Sequence, residues 1–74
     1  MDAIRCNVEA LLEVLDARAF ITIFRKIDGG EELLRSTEVY NLLSDQEFLG
    51  KYRLYKVKGL TTGLKTLSIL IEEV

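Results

Sequence analysis

The chain has 74 residues and a mass of 8.4 kDa, with 49% apolar residues, 30% charged residues and a formal net charge of −2. That length admits one domain with a small core, and the apolar share excludes a disordered chain. A chain with no His and a single Cys has no intrachain disulfide, no His-based zinc or haem site and no Ser-His-Asp triad.

Residues 7–16 (NVEALLEVLD) carry Val8, Leu11, Leu12 and Leu15 at helical spacing, with Glu9 and Glu13 on the polar side and Asn7 as a suitable N-cap. Ile4, Cys6, Val8, Ala10, Leu12 and Val14 also alternate as a strand would. The helix is preferred because Leu11 and Leu15 fall on the wrong side of that strand. Residues 19–26 (AFITIFRK) read as a strand rich in aromatic and β-branched residues. Its two faces, Ala19/Ile21/Ile23 and Phe20/Thr22/Phe24, are both mainly apolar, which predicts a central strand covered on both sides. Asp28-Gly29-Gly30 is a turn. Residues 31–36 (EELLRS) fit the return strand of a hairpin. They fit a helix start equally, because Asp28 precedes Glu31 in capping-box order.

Residues 37–43 (TEVYNLL) predict a short helix with Val39, Leu42 and Leu43 on one side. Ser44 and Glu47 then have capping-box spacing, and Leu43 and Phe48 the spacing of a hydrophobic staple. A further helix should run to about Arg53, with Phe48, Leu49 and Tyr52 sharing a side. The polar phase changes between Lys51/Arg53 and Lys56/Lys58. A strand starting at Leu54 resolves the change, with Tyr55 and Val57 inward and Lys56 and Lys58 outward. Residues 59–65 (GLTTGLK) read as a loop tethered by Leu60 and Leu64. Residues 66–73 (TLSILIEE) form the last strand, with Leu67, Ile69 and Ile71 inward. Leu70 interrupts the polar Thr66/Ser68/Glu72 face, which again predicts cover on both sides.

The expected fold is α+β, a single small globular domain over residues 1–74. It has a sheet of about four mainly antiparallel strands and two or three short helices. The order DGGEELLRSTEVYNLLSDQEFLGKY followed by YKVKGLTTGLKTLSILIEE resembles small uncharacterised α/β proteins encoded in phages and prophages of Gram-positive bacteria. The resemblance spans roughly residues 19–73. It rests on an acidic turn before a short strand, a Leu-Leu-Ser-Asp helix junction and a Lys-Gly-Leu loop. It includes no catalytic motif and implies a setting, not an activity.

No residue set for catalysis, a cofactor or a metal emerges. Cys6 has Arg5 beside it, but no His to serve as its base, so an incidental thiol is expected. Glu31/Glu32 and Asp45/Glu47 would need to face each other across a cleft to act as a two-carboxylate hydrolase. So short a chain leaves little wall for one. GLTTGLK lacks the spacing of a phosphate loop. Acids at Asp2, Glu9, Glu13 and Asp16 break any signal-peptide core. The longest apolar run, Ile69 to Ile71, is far below the ~20 residues of a membrane span. A cytoplasmic protein with no membrane partner is the expectation.

Charge is unevenly placed. Residues 1–47 carry a net −5, whereas residues 48–71 hold Lys51, Arg53, Lys56, Lys58 and Lys65 with no acid. With Tyr52 and Tyr55 interleaved, this stretch is a candidate face for nucleic acid or an acidic protein. Phe24 and Leu70 are the candidate face for a protein partner, because a chain this small cannot cover both sides of its sheet. The expected function is therefore a non-enzymatic protein–protein interaction or accessory protein, with another protein or a second copy as partner. A nucleic-acid binder is the first alternative and a small hydrolase the second.

Overall fold

The computed structural model describes residues 7–63 and 66–73. Expectations on Cys6, Leu64 and Lys65 lie outside the described residues. Asn7 caps helix α1 (Val8–Val14), its side-chain oxygen accepting from the Ala10 N–H at 2.8 Å. The next two strands, β1 (Phe20–Ile27) and β2 (Gly30–Glu38), form a hairpin closed by Asp28-Gly29. Gly29 has φ +83°, a left-handed conformation that suits glycine at such a turn. Residues 31–36 thus belong to the return strand. Two short helices follow, α2 (Val39–Leu43) and α3 (Gln46–Tyr52), and then strands β3 (Lys56–Thr62) and β4 (Thr66–Glu72).

The sheet order is β2-β1-β4-β3. β1 pairs antiparallel with β2 and parallel with β4, and β3 pairs antiparallel with β4. The mixed four-stranded sheet with three short helices is the α+β architecture expected, and two of its three pairings are antiparallel. A parallel pair needs a long crossover. Here the crossover comprises β2, both later helices and β3.

All three helices pack on one side of the sheet. Val8, Leu11 and Leu12 of α1, Val39 and Leu42 of α2, and Phe48 of α3 form one buried cluster with Ile21, Ile23, Val57, Leu67, Ile69 and Ile71. The helix starts are tied to this layer by their free backbone donors, which cannot bond within the helix. Val8 and Glu9 N–H groups donate to the carbonyls of Tyr55 and Arg53, and those of Val39 and Tyr40 to Ala19 and Ala17.

Four expectations change. β1 and β4 are central strands, as their apolar character implied, but among the described residues only one of their faces is covered. The stretch 59–65 is not wholly a loop, since β3 continues to Thr62. A bulge lies between Val57 and Gly59, leaving Lys58 without a partner residue. It reverses the inward phase from Val57 to Leu60 and Thr62, which hides the strand from a simple alternation test. The helix starting near Ser44 is capped one residue later, by Asp45, whose side chain accepts from the Phe48 N–H at 2.9 Å. Ser44 instead ends α2, its hydroxyl turned back to the carbonyls of Tyr40 and Asn41. The shift removes the staple as well, and Leu43 is 43% exposed.

Asp45 also joins the helix to the sheet. Its other carboxylate oxygen accepts from Arg35 Nε of β2 at 3.2 Å, and the Arg35 guanidinium lies 5.5 Å from the Phe48 ring centre. The Phe48 N–H, and then Arg35, hold the Asp45 carboxyl below its ordinary value near 3.8. A lowered folded-state value stabilises the fold fully above the ordinary value. That contribution disappears as pH falls through the lowered one. Asp45→Asn keeps a capping oxygen but loses the charge. Its thermal melting point should lie below that of the wild type at pH 6, and the gap should narrow below pH 4, about where Asp protonates. A gap independent of pH would refute this assignment.

Candidate interaction face

The face of the sheet away from the helices has no described element packed on it. Its composition follows from the strand registers. On β1 the residues opposite to buried Ile21 and Ile23 are Phe20, Thr22, Phe24 and Lys26. On β4 those opposite to buried Leu67, Ile69 and Ile71 are Thr66, Ser68, Leu70 and Glu72. Phe24 and Leu70 are direct Cα partners in the parallel pair. The two residues marked from sequence as a partner face therefore stand side by side near the centre of the open face.

Beyond an end row of Glu38, Phe20 and Thr66, reading across the strands from β2 to β3 gives three chemically distinct rows. One is Ser36, Thr22, Ser68 and Thr61, a hydroxyl on every strand. Thr22 and Ser36 hydroxyls are 3.2 Å apart. The next is Leu33, Phe24, Leu70 and Gly59, apolar throughout. The last lies one residue beyond the final β1–β4 pair, Arg25 and Ile71: the pair Glu31 and Lys26 followed by the pair Glu72 and Lys56, alternating in sign. Lys58 at the bulge adds an ion pair with Glu72 at 3.4 Å. A concavity of about 370 Å³ lies on this face, lined by Phe24, Glu31, Gly59, Thr61, Ser68 and Leu70.

Leu33 is the face residue that sequence reasoning missed. A second bulge, between the Ile23/Arg35 and Phe24/Leu33 pairs, leaves Leu34 unpaired. It sends Leu34 toward the core and Arg35 toward α3, while Leu33 reaches the open face with 57% of its surface exposed. Its sequence signal is the adjacent Leu33-Leu34 pair in an otherwise polar strand, which alternation alone cannot place on one side.

The basic residues are carried by different elements. Lys51 and Arg53 are exposed at the end of α3, in the helix layer, whereas Lys56 belongs to the open sheet face. Lys58 is paired with Glu72. Tyr52 and Tyr55 stack edge-on, with ring centres 4.9 Å apart, and both pack against the core. Lys65 lies outside the described residues.

Among the described residues there is no group of three or more His, Cys, Asp or Glu side chains placed to hold a metal, and no helix long and apolar enough to cross a membrane. No protein-family model, no curated protein and no solved structure matches this chain.

Proposed function

We propose that this protein is a non-catalytic protein-binding module whose partner seats on the helix-free face of its sheet. One observation carries the reading. Leu33, Phe24 and Leu70 form an unbroken apolar row over three adjacent strands, with nothing from the described chain against it. Among the described residues, the opposite face holds every fully buried side chain. A contiguous apolar patch rimmed by polar residues favours association over exposure to water. The setting suggested by the sequence resemblance is that of a phage- or prophage-encoded accessory protein.

The test compares two faces of the same molecule in the cells that make it. A photo-crosslinking residue is placed at Thr22 on the open face, or at Glu13 on the exposed side of α1. Position 22 should yield a discrete protein adduct, and position 13 should not. Equal yields at the two positions, or none at position 22, would reject the reading.

A further inference from the structure

We infer that the occupant of the open face is a second copy of this chain, related by a two-fold axis that runs parallel to the strands between β1 and β4. The inference rests on the preceding reading that a partner docks on this face. It comes from the order of side chains along the three rows. Such an axis lies between two sheets stacked face to face. It exchanges β1 with β4 and β2 with β3, and it keeps each row over itself.

The charged row reads minus, plus, minus, plus from Glu31 through Lys26 and Glu72 to Lys56. Reversing it gives plus, minus, plus, minus. The two-fold therefore sets Glu31 against the second copy's Lys56 and Lys26 against the second copy's Glu72, and both pairs occur twice. In the apolar row, Phe24 meets the second copy's Leu70. Leu33, the most exposed side chain of that row, meets Gly59, which has no side chain and borders the concavity. In the third row hydroxyl meets hydroxyl, and each can both donate and accept. These three rows are thus self-complementary under one operation, as an isologous interface requires, while the end row sets Phe20 against the second copy's Thr66. Sheets stacked this way cross at about 30°, a rotation that long Lys and Glu side chains span. The other in-plane two-fold, across the strands through the apolar row, lays the charged row on the hydroxyl row and gives no charge an opposite charge on the second copy.

Size sets the strength. Four strands about 4.8 Å apart and seven residues at about 3.3 Å each give a patch of roughly 19 by 23 Å. Two copies bury an area near the ~1,000 Å² lower bound of specific interfaces. The dimer is accordingly concentration-dependent.

Charge reversal tests both the partner and the register. The molar mass of the whole chain is followed by light scattering from about 10 µM to 1 mM, a range suited to a small, weak interface. Samples are the wild type, Glu31→Lys, Lys56→Glu and an equal mixture of the two variants, with circular dichroism confirming that each is folded. The wild type should rise toward twice 8.4 kDa. Each variant alone places like charges opposite each other at two sites and should associate about tenfold more weakly in low salt. The mixture restores opposite charges at both sites and should recover the wild-type curve. Variants that dimerise as the wild type does, or a mixture no better than its components, would overturn the register. A wild type that stays at 8.4 kDa throughout would overturn the second copy as occupant. In that case a crosslink from position 22 to a different protein would preserve the docking face, and none would remove both.

Discussion

Replacing Phe48 with alanine is expected to cost about 3–5 kcal/mol of stability. A chain of this length has roughly 4–11 kcal/mol in total, so the variant should lose a large share of its stability. Phe48 is fully buried and is the one fully buried side chain that α3 contributes to the core. Its ring meets Tyr52 at 5.2 Å, and Tyr52 in turn meets Tyr55. Arg35 reaches over the same ring from β2. Truncation therefore opens a cavity beneath the helix and removes the surface on which Arg35 rests. A urea titration provides the measurement, with the midpoint falling and the slope nearly unchanged. A loss below about 1 kcal/mol would show that α3 contributes little to the cooperative fold.

The double variant Phe24→Thr, Leu70→Thr should behave in the opposite way. Both side chains are only half-buried and lie outside the core cluster. Threonine keeps a strong strand preference, so the fold should persist with a modest loss from the cross-strand contact, about 1 kcal/mol. Association should suffer more. Truncating an apolar anchor at the centre of an interface typically costs about 2 kcal/mol, or roughly thirtyfold in affinity. In the two-fold arrangement each change acts twice. Light scattering and a melting curve on the same sample separate the two effects. A folded variant with unchanged self-association and unchanged crosslinking at position 22 would remove Phe24 and Leu70 from the interface.

Much of this architecture was legible in residue order, and the exceptions have local causes. β1 and β4 announced themselves through β-branched residues on both faces, and the Asn7 cap located α1. Apolar character on both faces is ambiguous, however. It marks a strand with two covered faces, or one whose second face awaits another molecule. Phe24 and Leu70 pointed to the second possibility, and the register brought them together. The two bulges were not legible. Each inserts a single residue, Leu34 or Lys58, and inverts the inside–outside phase beyond it. The true cap of α3 was obscured because Ser44 and Asp45 are both good cap residues. The choice depended on a tertiary contact, the Arg35 side chain waiting beside Asp45.

The parallel pairing of β1 with β4 has a consequence for the life of the chain before it is folded. Residues 20–25 find their parallel partners only at residues 66–71. A ribosome delivers these two strands at opposite ends of the synthesis of the described fold. The β1–β2 hairpin can close early, but the middle of the sheet stays empty until the last strand has emerged. β3 cannot add beforehand, since its neighbour is β4 and not β1. A nascent chain halted before Thr66 therefore holds a two-stranded hairpin with an exposed edge and an unpaired β3. Closure of this sheet therefore waits, by topology, for β4 to emerge. The cell's exposure to sticky intermediates is set by how fast β4 leaves the exit tunnel.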